Sequence, residues 1–180
     1  MIRLEKFEKS DFKQLIEWIN NEALLVNWCG FLFRFPLSEE SLTWYIEGSN
    51  DIETSDAFIY KAVDIETGET VGHISLGGIS RKNKSARISR VLVGNNIEKN
   101  KGICRQMINE ILKIGFEGLK LHRISLGVYD DNISAVKCYE KSGFVTEGII
   151  RDVLFYKDNY RSMIEMSMLK DEWDKKDLKY

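Results

Sequence analysis

Three observations predict an α/β fold built on a mixed, mostly antiparallel sheet. Residues 57–93 alternate apolar and polar side chains in three runs parted by short turns, residues 101–116 switch to helical spacing, and residues 144–169 alternate again across one long hairpin. The total is about six to seven strands with about four helices, and one strand–helix–strand crossover interrupts the antiparallel order. A chain of 180 residues is long enough for one well-cored domain, 1–180, and too short to expect two.

IRLEKF alternates and is expected to form the first strand. In DFKQLIEWINN the apolar Phe12, Leu15, Ile16 and Ile19 share one helical face, and Ser10 stands where a cap belongs. The aromatic stretch NWCGFLFRFP reads as an irregular loop. Ser38, with Glu39 and Glu40 behind it, then announces a second helix, LTWYIEG, because a hydroxyl at the cap and acids in the first turn both answer the exposed N–H groups of a helix start. AFIYKAVDI, TVGHISLGGI and SARISRVLV form a meander turning at ETGE and near residues 81–84. Beyond residues 101–116 comes the strand HRISLGVY, then the helix NISAVKCYEKSG stopped by Gly143, then the hairpin, which turns at 157–159.

Composition excludes several functions. Lys and Arg (26) nearly balance Asp and Glu (28), so no global basic field concentrates a phosphate backbone, and nucleic acid is not an expected partner. No run approaches the eighteen or so apolar residues of a spanning helix, so no membrane association is expected. The charged start MIRLEKFEKSDF lacks the apolar core of a signal peptide, and the expected location is cytoplasmic. Three cysteines (Cys29, Cys104, Cys138), an odd count without CxxC spacing, argue against a disulfide framework and against a metal site; Cys104 and Cys138 read as small apolar fillers on helices.

The loop GNNIEKNKGIC carries the chemistry. It joins a strand to a helix start, whose unpaired N–H groups and positive dipole end favour an anion, and Gly102 lets the main chain approach a bulky phosphate. A nucleoside-triphosphate loop is excluded, since Lys99 and Asn100 stand where that motif needs glycine and lysine, and no GxGxxG triplet marks a dinucleotide turn. Further on, Asn132 and Tyr139 are seven apart, two helical turns, and so lie on one face. An amide there can bond an extended chain of amides, and a phenol two turns on can reach its far end.

The loop, the helix after it and LHRISLGVYDDNISAVKCYEKSGFVTEGIIRD resemble the GCN5-related N-acetyltransferase superfamily, in the branch of ribosomal-protein N-terminal and spermidine acetyltransferases. The resemblance covers nearly the whole chain and is strongest over residues 91–173. It implies that the pyrophosphate of acetyl-CoA, the cosubstrate, is held by the loop residues Lys99, Asn100, Lys101, Gly102, Ile103 and Cys104. It also implies that the strand residues Val91, Leu92 and Val93 and the amide of Asn132 hold the pantetheine arm, and that Tyr139 is the general acid at the thiolate. The family usually has Gln or Arg in place of Lys99 and Gly or Ala in place of Cys104, and it often forms dimers, so a homodimer is expected.

The implied reaction is acetyl transfer to a primary amine, on a small molecule or a protein N-terminus, by direct attack in a ternary complex. Alkyl amines are mostly protonated at neutral pH, with pKa about 10, so a base or water must take a proton, and a main-chain N–H from residues 91–93 should meet the oxyanion. Relatives often carry a glutamate in the strand before the loop, where this chain reads Ala86-Arg87-Ile88-Ser89-Arg90. Glu147, Glu165 and His73 are alternative bases, and His122 reads as structural. Arg87 and Arg90 would instead attract an acidic group on the acceptor. Trp28, Phe31, Phe33, Phe35 and Trp44 offer an aromatic wall on the acceptor side, with Glu39, Glu40 and Glu47 nearby. The altered loop and the missing glutamate leave a non-catalytic acyl-CoA-binding sensor as the alternative.

Overall fold

The computed structural model describes residues 1–94 and 102–177. Seven strands form one sheet: β1 (Ile2–Lys6), β2 (Phe58–Asp64), β3 (Thr70–Ser80), β4 (Ser85–Val93), β5 (Arg123–Tyr129), β6 (Val145–Tyr156) and β7 (Asn159–Leu169), in the order β1-β2-β3-β4-β5-β7-β6. All neighbours run antiparallel except β4 and β5. The helix between those two, α4 (Ile103–Lys113), is the expected crossover, because parallel strands cannot be joined by a tight turn.

Apolar layers cover both faces of the sheet. On one, α4 buries Met107, Ile108, Ile111 and Leu112 completely, and α5 (Ile133–Lys141) and α6 (Lys170–Asp177) add Tyr139 and Trp173 to the same cluster. Burying each such aliphatic side chain contributes roughly 1.5–3 kcal/mol. On the other face, α1 (Phe12–Trp18), α2 (Glu22–Cys29) and α3 (Glu39–Ile46) pack Phe12, Leu15, Leu25, Trp28, Leu42 and Tyr45 onto Ile59. Glycines let the layers approach: a Cβ on Gly72 would meet the Met107 sulfur at 2.5 Å, and one on Gly94 would meet the Trp18 ring at 2.5 Å.

The observed helices correct the sequence expectation of about four: six α-helices occur among the described residues. The aromatic stretch taken for a loop is helical up to Cys29, capped by the Asn21 side chain, which accepts from the Leu24 N–H at 2.9 Å. Its run Ala23-Leu24-Leu25-Val26 is apolar on successive residues, so no helical period stands out. Ser10 is not the first cap; it lies inside a 3₁₀ turn, Lys9–Asp11, that Glu8 and Asp11 cap reciprocally. The last helix, KDEWDKKD, is too polar to show a face, and Trp173, buried and stacked on Phe116, anchors it. Ser38 caps α3 as expected, and Gly143 follows α5 at φ +92°, where any other residue would be strained.

Candidate active site

The parallel ladder between β4 and β5 runs only from Ser85↔Arg123 to Ile88↔Leu126. Beyond that the strands part and leave a cleft of about 870 Å³, walled by the end of α2, the start of α4 and one face of α5. A bulge in β4 accompanies the parting. His73 pairs with Leu92 but Ser75 with Ser89, so β4 carries one extra residue there, and Arg90 takes φ +54°. The Gly94 N–H bonds back to the Val71 carbonyl, so strand alternation turns the N–H groups of Val91 and Val93 toward the cleft edge.

Val91, Leu92, Val93, Gly102, Cys104, Asn132 and Tyr139, all singled out in the sequence, line this one cleft. Gly102 starts α4 with a left-handed backbone, φ +93°, as its glycine allows. Ile103 differs: its side chain is buried in the core, which leaves only its main chain for a ligand. Lys99, Asn100 and Lys101 lie outside the described residues. Asn132 caps α5, its Oδ1 accepting from the Ala135 N–H (3.3 Å) and the Ser134 hydroxyl (3.1 Å), and that leaves its Nδ2 group as the donor for a ligand. Tyr139 is 6% exposed, its hydroxyl makes no hydrogen bond to another described residue, and burial pushes its pKa up to about 12.

One expectation is overturned. Cys104 and Cys138 form a disulfide in the cleft wall, Cα atoms 6.6 Å apart, joining the start of α4 to α5 across 34 residues of sequence. Spacing rules see only local pairs, and this one exists only because the two helices meet at the cleft. Among the described residues no cluster of His, Cys, Asp and Glu fits a metal ion.

The alternative bases are all engaged elsewhere. Glu165 accepts both nitrogens of Arg87 at 2.7 Å, an ion pair lying over Gly127, whose missing Cβ would collide with the guanidinium at 2.3 Å. Glu147 accepts from Arg123 (2.6 and 2.7 Å) and from the Ser167 hydroxyl (2.8 Å), which together hold its carboxyl down at about 2. His73 is buried against Phe7 and bonded to the Tyr45 hydroxyl at 3.1 Å; burial, then Arg90, drives its pKa down to about 3. The His122 side chain is exposed, and its main chain, as any residue's could, ties Lys84 to Lys170. Of the aromatic wall, Trp28 borders the cleft and packs with Phe33 in the core, whereas Phe31, Phe35 and Trp44 are exposed.

Sequence reasoning missed several residues here. Arg105, Lys137 and Lys141 bring positive charge to the α4–α5 wall; the signal was Lys137 and Lys141 one turn apart on the helix that Asn132 caps. Gly30 ends α2 at φ +61°, ψ −133°, and a Cβ there would stand 3.3 Å from the Tyr129 hydroxyl.

A parted parallel strand pair thus faces a helix start and a cationic helix wall, an arrangement that favours an extended ligand with an anionic end. A family model described as Acetyltransferase (GNAT) domain matches residues 4–165. The spermidine N(1)-acetyltransferase of Vibrio cholerae is 27% identical over 172 residues, 96% of this chain and 95% of that protein. YdaF of Bacillus subtilis, named as a candidate ribosomal N-acetyltransferase, is 26% identical over 96% of this chain and 93% of its own. The solved structure of the Vibrio cholerae spermidine acetyltransferase with CoA and spermine superposes with a TM-score of 0.81 at 24% identity, covering 96% of this chain and 97% of that one. The chain belongs to the GNAT acetyltransferase family, and its activity is acetyl transfer from acetyl-CoA to an amine. The non-catalytic sensor is not the reading these likenesses favour.

Proposed function

We propose that the chain acetylates a primary amine, on a small molecule or at a protein N-terminus, by direct attack in a ternary complex in which Tyr139 protonates the departing sulfur. The observation that carries the reading is a phenol without a hydrogen-bond partner among the described residues, set in the cleft across from the parted edge of β4. Acetyl-CoA supplies the acetyl group as an activated thioester. The amides of Val91 and Val93 and the Nδ2 group of Asn132 bond its arm, and one of those strand amides stabilises negative charge on the acyl oxygen. Arg105, Lys137, Lys141 and the amides at Gly102, Ile103 and Cys104 attract its phosphates, together with Lys99, Asn100 and Lys101. No carboxylate among the described residues lines the cleft, so the amine gives its proton to water.

A homo-oligomer is part of the same proposal, because β6 is a free edge of the sheet with Val145, Ile149, Ile150, Val153 and Phe155 exposed. So is a cytoplasmic location, where a reducing milieu would keep Cys104 and Cys138 as thiols. No helix among the described residues is long and apolar enough to cross a membrane.

Heat denaturation with acetyl-CoA, followed by thiol release with a panel of amines, tests the reading. At a hundredfold excess over Kd the ligand should stabilise the fold by about 2.7 kcal/mol. Stabilisation without thiol release from any amine would leave a binder and defeat transfer.

A further inference from the structure

We infer that the accepted amine carries an anionic group, carboxylate or phosphate, a few bonds from its nitrogen, and that Arg90 receives that group. The inference rests on acetyl transfer at this cleft and narrows its acceptor.

Five cations line the cleft, Arg87, Arg90, Arg105, Lys137 and Lys141, and no Asp or Glu does among the described residues. Three of them stand on α4 and α5, the wall that starts at Gly102, where phosphates are held. The other two stand on β4. Arg87 is already neutralised by Glu165 through both nitrogens.

Arg90 pairs with no carboxylate among the described residues. Its Nη1 donates to the Ser89 hydroxyl at 3.1 Å, its guanidinium carbon lies 4.8 Å from the centre of the Tyr45 ring, whose hydroxyl it also approaches, and its Nε is buried with no partner among the described residues. A cation drawn out of water without a counter-charge is costly, and the cost is removed when a ligand brings that charge.

The position is built rather than incidental. The extra residue in β4 re-aims Arg90, and the Trp28 indole N–H fixes its carbonyl at 3.0 Å. Trp28 and Tyr45 belong to α2 and α3, on the face of the sheet opposite the α4–α5 layer. Arg90 therefore sits away from the phosphate wall, and the counter-charge that no described residue gives it falls to the second substrate. A guanidinium offers paired N–H donors that match carboxylate and phosphate oxygens alike. A polyamine would bring several positive charges into a cleft lined by five cations and, among the described residues, by no carboxylate.

Thiol release by the wild-type protein with amines that differ only in the anion decides the matter: an amino acid against its amide, an amino-sugar phosphate against its parent sugar, and spermidine. The anionic member of one pair should be used with kcat/KM roughly tenfold or more higher, the difference lying in KM, and the responding pair tells carboxylate from phosphate. In Arg90→Gln that ratio should collapse to near one while acetyl-CoA still raises the melting temperature, and Arg90→Lys should keep part of it. A group that merely props Tyr45 would not move the ratio. Preference for spermidine or for the uncharged member of both pairs would overturn the inference while leaving amine acetylation standing. So would a ratio unchanged in Arg90→Gln. If that variant does not fold, the wild-type pairs alone decide.

Discussion

Tyr139 and His73 are both buried, and burial moves them in opposite senses for one reason: a charge in a low-dielectric interior is disfavoured, which lifts a phenol and depresses an imidazole. With its pKa raised from the ordinary 10 to about 12, Tyr139 keeps its proton through any working pH. Replacement by Phe should lower kcat by about 10–10⁴-fold and leave the thermal shift with acetyl-CoA in place. The wild-type rate should climb from pH 7 toward 10 as the amine deprotonates; a fall above pH 9 that the Phe variant lacks would contradict this assignment. His73 shapes stability instead. Folded, it binds a proton only near pH 3; unfolded, near its ordinary 6.5, so acid favours the unfolded chain throughout that window. Stability is then complete above pH 6.5 and lost as pH falls toward 3. Glu147, held low first by Arg123 and then by Ser167, adds a loss that begins only below its ordinary 4.5. That share is about 1 kcal/mol or less, because both partners are well exposed. Urea titrations at pH 7, 6 and 5 therefore isolate His73, and His73→Gln should flatten the decline between them.

At the level of elements, the Cys104–Cys138 bridge closes a span of 34 residues between α4 and α5. Loop-closure entropy alone gives a bridge of that span about 4 kcal/mol of stability, with measured bridges ranging from about 0 to 5. Reduction by dithiothreitol should then lower the melting temperature by roughly 5–15 °C. An identical transition in oxidised and reduced protein would mean that the two sulfurs are not joined. The bridge also marks where sequence stops being informative. The meander, the crossover and the hairpin were legible because alternation and helical spacing are local properties, and Gly102, Asn132 and Tyr139 were legible because loop, cap and helix face all lie within short segments. α2 was hidden by its own apolar run, α6 by its polarity, and the capture of Glu165 by Arg87 by pairing across 78 residues, which no local pattern encodes. Arg90 could be read as a cation near the site, but that it meets no carboxylate among the described residues is a property of the fold.

For the whole molecule, the sheet is unevenly clothed. Helices cover both faces from β1 to β5, yet β6, the last strand, is exposed through nine successive residues from Val145 to Val153, with Ile149 61% and Phe155 53% exposed. A free edge with apolar side chains on both faces is the surface that proteins otherwise shorten, charge or cover. Arg151 and Asp152 interrupt the run, so an antiparallel approach of a second β6 would set opposite charges near each other while closing the edge symmetrically. A lasting contact of this kind buries about 1,200–2,000 Å² in total, which one strand and the neighbouring hairpin tip at Tyr160 can contribute from two copies. Light scattering across a concentration series should give a mass of two chains or a multiple of two. Ile149→Glu, on the outer strand and not among the residues that line the cleft, should shift the mass toward the single chain. A single-chain mass for the wild type at every concentration would show that β6 is left bare.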